Sequence, residues 1–394
     1  MKMKEIIYIF LTFLKIGATA FGGYMSLVAI VQKQLVEIDH RLKEEDLLDA
    51  ISLTSMLPGP VAVNVIAYVG YRLGGVAGAI AAFLGIILPA LLLVIILSAL
   101  YFAYGNVPVV KNLFAGITPV ITALILTVAL SMARKTMKYK AQWGIGILSA
   151  FLMVLIGGFA TTFGLIVGSG ILGYVLFGKT IQPNEKNIEE DFHWDRRRSL
   201  FTGAILVLLV GLFLWGGQGL QAPIEVQLLT TFAGVSLTLF GGGYVVIPAL
   251  HELFVDQLQW LDATEFADGI AIGQVTPGPI FITAAFIGYK VAGILGALLA
   301  TVGMFAPPAL LTLFLSRFIE PLKHSETWKA VLKGIRPAVI GMIFVSSFTI
   351  GRTIDLTFGA ISLFAVACVI SYRYTKVSPI YLILGSGVVG LLFF

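Results

Sequence analysis

An all-α, polytopic membrane fold made of two inverted-topology repeats is what this 394-residue sequence predicts, and three observations carry the prediction. Hydrophobic residues make up 58% of the chain and charged residues 12%, where an ordinary soluble domain carries about 25% charged. Apolar runs recur at Val76–Leu100, Leu113–Ala133, Ile145–Gly158, Phe159–Phe177 and Leu200–Trp215. Most are near the roughly 20 residues that cross a bilayer as a helix. Third, the sequence states itself twice: Phe21-Gly22-Gly23 returns as Phe240-Gly241-Gly242 and Pro58-Gly59-Pro60 as Pro277-Gly278-Pro279, both 219 residues later.

The register continues along both halves. After the Pro-Gly-Pro element the offset becomes 218. Gly70-Tyr71-Arg72 then matches Gly288-Tyr289-Lys290, Pro89 matches Pro307, Gly116-Ile117-Thr118-Pro119 matches Gly334-Ile335-Arg336-Pro337, and Arg134 matches Arg352. The chain divides into an N-terminal repeat, 1–179, a polar linker with one extra apolar helix, 180–221, and a C-terminal repeat, 222–394. The opening Met1-Lys2-Met3-Lys4 and apolar run resemble a signal peptide. We read it as uncleaved, because Phe21-Gly22-Gly23 lies inside an element whose second copy begins well upstream of its motif, near Gln227.

Loop cations set the orientation. Loop 134–140 holds Arg134, Lys135, Lys138 and Lys140, and the linker holds Arg196-Arg197-Arg198, so both are expected in the cytoplasm. Loop 103–112 is poor in cations, yet its second-half partner holds Arg317, Lys323, Lys329 and Lys333. The bias therefore flips between copies, which is the mark of inverted repeats joined by an odd helix. If every element spanned, loops 33–46 and 251–262 would fall on the disfavoured sides. Broken or re-entrant helices at the Phe-Gly-Gly and Pro-Gly-Pro motifs put both loops right. Irregular backbone at membrane depth is tolerated only where protein or a water-filled cavity surrounds it.

Such breaks free helix N-termini, whose unpaired N–H groups and positive dipole end attract anions. The expected anion cradle is Phe21, Gly22, Gly23, Pro58, Gly59, Pro60, Phe240, Gly241, Gly242, Gly243, Pro277, Gly278 and Pro279. Small polar side chains stand beside it: Ser52, Thr54, Ser55 and Asn64, then Gln274, Thr276 and Thr283. Lys15 is a charge within an apolar run and a candidate to meet the anion; its second-half equivalent is Gly234. Asp49 and Asp268 match at offset 219 and are candidates for a coupling proton or cation; Asp46 and Glu265 match likewise. Arg72 and Lys290, just beyond the broken elements, either draw anions to a vestibule or anchor at headgroups. Small residues every fourth position (Gly70, Gly74, Gly78, Ala82; Gly288, Ala292, Gly296, Ala300) are expected to form the contact between repeats.

Taken together, the duplicated motifs and the Gly-Tyr-(Arg/Lys) and Gly-x-x-Gly-Ala segments after them resemble the chromate ion transporter family in its two-domain, long-chain form. The resemblance covers nearly the whole chain. It implies a bacterial inner-membrane secondary carrier that moves chromate, usually outward, and confers resistance. The family's first motif often continues Phe-Gly-Gly-Pro; here Tyr24 follows Gly23. An anion channel, or a carrier for another oxyanion such as sulfate, is the alternative. An enzyme is not expected: the four histidines sit in loops or borders, no cluster has metal-ligand spacing, and no nucleotide-binding loop is present. No cofactor and no nucleic-acid partner is expected, because the +5 net charge sits in short loops. The lone Cys368 excludes an intrachain disulfide. The expected partners are the oxyanion and the lipid bilayer, with pairing to a second copy left open. Single cysteines placed in loop 33–46 of a cysteine-free parent should resist labelling from outside the cell; labelling there would sink the re-entrant arrangement.

Overall fold

The computed structural model describes residues 3–21, 24–54, 57–105, 107–157, 159–178, 222–238, 247–319, 326–374, 377 and 379–394. The polar linker and the extra helix at about 199–217 lie outside them, as do Gly22, Gly23, Ser55 and Phe240–Gly243. The regular structure of the described residues is all helical, with no strand among them. The first half runs α1 Met3–Thr19, α2 Tyr24–Val31 passing into a π-helical stretch Gln32–Ile38, α3 Glu44–Thr54, α4 Val61–Tyr104, α5 Pro108–Thr136, α6 Lys140–Leu155 and α7 Phe159–Phe177. The second half repeats this order: α8 Ile224–Thr238, α9 Ile247–His251 with π-helical Glu252–Gln257, α10 Ala263–Val275, α11 Thr283–Ile319, α12 Glu326–Gly351, α13 Phe358–Arg373 and α14 Pro379–Phe393. By length and composition, α4, α5, Thr283–Leu315 of α11 and Lys329–Gly351 of α12 can each cross a membrane.

The repeat is legible in the backbone angles. Gly59 and Gly278 share φ near +110 (+107 and +110), Gly75 and Gly293 share +57 and +60, and His40 and Gln259 share +48 and +52. Each pair sits at the sequence offset found above.

Neither α4 nor α11 is one straight helix. α4 folds back at Gly74–Gly75 (Gly75 ψ −153) and α11 at Ala292–Gly293 (Gly293 ψ −145), a backbone region open essentially only to glycine. Each therefore has a short arm (61–73, 283–291) and a long arm (76–104, 294–319). The small residues predicted to join the repeats instead zip each short arm to its own long arm. A Cβ on Gly70 would lie 2.6 Å from the Gly78 carbonyl oxygen and 2.5 Å from Ala82 Cβ. On Gly288 it would lie 2.2 Å from the Gly296 oxygen and 2.7 Å from Ala300 Cβ. Spacing by four shows that backbones approach closely but not which backbones.

Ion pairs and ring contacts fix the direction of each hairpin. Arg72, at the end of the first short arm, pairs with Asp46 in the first turn of α3. Lys290 pairs with Glu265 in the first turn of α10. The helix that enters and the arm that leaves thus meet at one face, so both elements are re-entrant, with Pro-Gly-Pro at the tip. The element before them closes the same way: Tyr8 near the start of α1 donates its hydroxyl to Asp39 beyond α2, and the Arg41 guanidinium lies 4.0 Å over the Tyr8 ring. The Tyr8 hydroxyl holds the Asp39 carboxyl below its ordinary value.

The two halves are inverted. The first long arm starts beside Arg72 and, at 1.5 Å per residue, spans roughly 40 Å. Its far end reaches the base of the second hairpin, where the Phe102 and Tyr289 rings stack with centroids 6.2 Å apart and Lys290 Nζ lies 4.9 Å over Phe102. The two hairpin bases therefore lie at opposite ends of one membrane-crossing arm.

The terminal helices are exchanged. α12 packs against α6 and α7 of the first half, and α5 against α13 and α14 of the second. At both crossings a glycine meets backbone: a Cβ on Gly116 would lie 2.3 Å from the Ser386 oxygen, and one on Gly334 2.0 Å from the Ser169 oxygen.

Gly78→Ala should destabilise the detergent-solubilised protein by about 1–3 kcal/mol, the usual range for overpacking, because its Cβ would stand 2.3 Å from the Gly70 oxygen. Gly75→Ala meets nothing within 4 Å but puts a Cβ on a backbone conformation open essentially only to glycine, and should cost about 1–3 kcal/mol through backbone strain alone. Thermal-shift series of both variants check that each is destabilised.

Candidate functional site

Each Pro-Gly-Pro tip seats on the long arm of the opposite repeat. The Gly278 amide donates to the Ala20 carbonyl at 2.8 Å, joining the second tip to the end of α1. A Cβ on Gly278 would lie 3.0 Å from Ala90 Cβ. A Cβ on Gly59 would lie 2.2 Å from Pro308 Cβ. Ala90 and Pro308 occupy equivalent positions, each one residue beyond an in-helix proline, Pro89 or Pro307. Both lie about midway along their arms, so both tips sit near mid-depth. A glycine is needed at each tip twice over, for its positive φ and for the missing Cβ.

The tips expose helix starts. Pro60 caps the first short arm with φ −66 and ψ 93 and no side-chain bond. Its carbonyl accepts from the Val63 and Asn64 amides at 3.0 and 3.1 Å, and the first amides of a helix have no acceptor within it. At the second tip a 3-10 turn, Ile280–Ile282, precedes α11. Asn64 is fully buried and donates from Nδ2 to the Pro58 carbonyl at 3.2 Å, while its Oδ1 has no partner among the described residues. Thr54 and Thr276 are buried and turn their hydroxyls back onto the Ala50 and Gly273 carbonyls at 2.7 and 3.0 Å.

The predicted site residues distribute as follows. Pro58, Gly59, Pro60, Asn64, Thr276, Pro277, Gly278 and Pro279 lie at the two tips, with Phe21 half-buried just beyond Ala20 and Gln274 half-buried at the end of α10. Lys15 is exposed one turn before the end of α1, about 7 Å along the axis from Ala20 at 1.5 Å per residue. Arg72 and Lys290 sit away from the tips, at the hairpin bases, in the ion pairs described above.

The matched acids part company. Asp49 is exposed, whereas Asp268 is 6% exposed and accepts a 2.7 Å hydrogen bond from the Tyr101 hydroxyl. The α10 N-terminus is capped elsewhere, by Asp262, whose carboxylate accepts from the Glu265 amide at 2.8 Å. Asp268 lines an open cavity of about 770 Å³ at the second hairpin base, together with Tyr101, Lys111, Asp262, Glu265 and Lys290. Tyr101 was missed in the sequence reading. Its only signal is that it ends a predicted spanning helix, and its partner lies 167 residues away.

Residues 7–174 and 226–391 match the family described as Chromate transporter. The chain is 30% identical to an uncharacterised transporter of Methanocaldococcus jannaschii, over 98% of this chain and 93% of that one. It is 26% identical to a chromate transport protein of Cupriavidus metallidurans, over 96% and 91% of the two chains. It is 28% identical to a chromate transport protein of Pseudomonas aeruginosa, over 98% and 92%. No solved structure matches the chain.

Gly59→Ala should displace the first tip and lower thermal stability, and Pro308→Ala in the same chain should restore part of the loss by opening the seat to the smaller residue found at position 90. No recovery in a double-mutant cycle would mean that the tip does not bear on Pro308.

Proposed function

This chain belongs to the chromate transporter family, and on that premise we propose that it is a secondary carrier exporting chromate across the inner membrane of a bacterial cell. The observation that supports the reading best is the pair of crossed Pro-Gly-Pro tips, each opening a half-helix near mid-depth. A tetrahedral dianion entering the membrane must exchange water for fixed donors, and the penalty for a bare buried charge is severe. Helix N-termini provide such donors without a competing cation, and short contacts from backbone N–H to an anion are among the stronger hydrogen bonds.

In this reading Phe21–Gly23, Pro58–Pro60, Phe240–Gly243 and Pro277–Pro279 form the cradle. Ser55, Asn64, Gln274 and Thr276 flank it, and Lys15 supplies a nearby cation. The division into repeats 1–179 and 222–394 with a cytoplasmic linker and connecting helix at 180–221 belongs to the same proposal. Alternating access follows from moving one bundle against another around a fixed site, each bundle combining helices of both repeats because the terminal helices are exchanged. The hairpin bases at opposite faces, with Arg72–Asp46 at one and Lys290–Glu265 at the other, supply one closure per face.

Export suits the membrane potential. Moving one charge across 100 mV is worth about 2.3 kcal/mol, so a dianion leaving a negative interior gains roughly 4.6 kcal/mol. Resistance to chromate would follow from that export.

Everted vesicles containing this protein should accumulate chromate, with sulfate competing. The Pro58→Ala/Pro277→Ala variant should lose roughly tenfold or more of the initial rate, equivalent to about 1.4 kcal/mol. An unchanged rate would remove the tips from the pathway. Currents far above carrier turnover in patch recordings would replace the carrier with a channel.

A further inference from the structure

We propose that Asp268, bridged to Tyr101, is a proton-binding site that loads together with the transported anion. The inference rests on the transport reading for its anion but not for its proton. Three observations place the site. Asp268 is the buried member of a matched acidic pair whose other member, Asp49, is exposed. Its carboxylate takes a 2.7 Å hydrogen bond from a tyrosine of the opposite repeat. It lines the cavity at the second hairpin base, the face of the cation-poor loop 103–112, so its proton exchanges through water with the outer compartment, the side on which an exported anion is released.

The groups facing it come from several elements. At the N-cap of α10 stands Asp262 and on α10 Glu265, on α4 Tyr101, on α5 Lys111, on α11 Lys290, and on the turn after α12 Asp355. Lys290 is engaged by Glu265. Acids therefore outnumber cations around the carboxylate.

Asp268 lies nine residues before Pro277, about 13 Å along the helix axis at 1.5 Å per residue. A dianion at the tip and an ionised Asp268 repel each other across a medium of low dielectric. Protonation of the carboxyl oxygen removes that repulsion, and the bound anion in turn favours protonation; linkage makes the two effects equal. One O–H bond forms on loading and breaks on release, and no other bond changes. Proton and anion then cross in the same direction, one negative charge being moved per dianion and proton, which halves the electrical gain of an uncoupled dianion.

Two measurements test this. The first uses no anion. A reporter, Thr264→Cys, is placed at the exposed rim of the cavity in a Cys368→Ala background, and its labelling rate by a thiosulfonate reagent is followed across a pH series. The ratio of that rate to the rate in the same chain carrying Asp268→Asn should pass through a sigmoidal transition. Tyr101→Phe should move the transition to higher pH, because a hydrogen bond to the charged form is lost. The second uses proteoliposomes with an internal pH dye and a clamped potential. A chromate gradient should drive protons in the anion's direction, and Asp268→Asn should abolish that proton movement and flatten the pH profile of uptake. Gel filtration verifies that each variant is folded; should Asp268→Asn fail this check, the labelling profile of Tyr101→Phe is divided by that of the parent, and a shifted transition in that ratio decides. A flat labelling ratio, an unmoved Tyr101→Phe transition, or proton movement retained in Asp268→Asn overturns the proposal. A labelling transition with no chromate uptake would sustain the proton site and remove the chromate reading.

Discussion

A chain that turns around halfway through a bilayer must satisfy its backbone polar groups where no lipid can do so. The rest of this architecture answers that requirement. Each Pro-Gly-Pro tip uses residues that lack a donor or a Cβ, and each is then buried against the other repeat. The Gly278 amide finds its acceptor in Ala20, at the end of another broken element. The second tip is not complete within its own half, so the two halves cannot be separated without leaving the Gly278 amide unpaired at the depth where exposure costs most. The same burial keeps the Pro60 helix start within the protein, which is why the proposed anion site is put there.

Much of this was legible in the sequence, and the reason is physical. Pro58-Gly59-Pro60 and Pro277-Gly278-Pro279 constrain backbone locally, so their effect does not depend on what surrounds them. The inversion was legible from loop cations, since a lysine in a loop reports the compartment it prefers whatever its helices touch. What could not be read was pairing. Gly70, Gly78 and Ala82 announce a close approach without naming the neighbour, and the neighbour is the same chain folded back at Gly75. Tyr101 and Asp268 come from opposite repeats and share no spacing. Arg72 and Lys290 were recognised as matched cations, but their service as closures of the hairpin bases required the folded positions of Asp46 and Glu265.

Duplication also supplies an internal control. Where both copies keep a feature, as with the left-handed Gly59 and Gly278 or the folded-back arms, the fold requires it. Where they differ, the fold tolerates the difference and function is free to use it. Asp49 and Asp268 are the clearest case: one position in the repeat, one exposed carboxylate and one buried beneath a tyrosine. In the proposed carrier, this one difference between otherwise matched halves is where coupling to a proton would enter, and it comes at little structural cost.

The exchange of terminal helices bears on how the chain is made. α5 emerges early from the ribosome, but its packing partners, α13 and α14, are the last described helices of the sequence. Synthesis proceeds at about 5–20 residues per second, so α5 waits for tens of seconds beside lipid with the Gly116 surface uncovered. The first half therefore inserts before it can fold, and final assembly is a late event that depends on the carboxyl-terminal hairpin reaching back across the molecule. Long-range closure of this kind is slow, and a truncation of only the last two helices would uncover the Gly116 face of α5 and leave it packed mainly on α12.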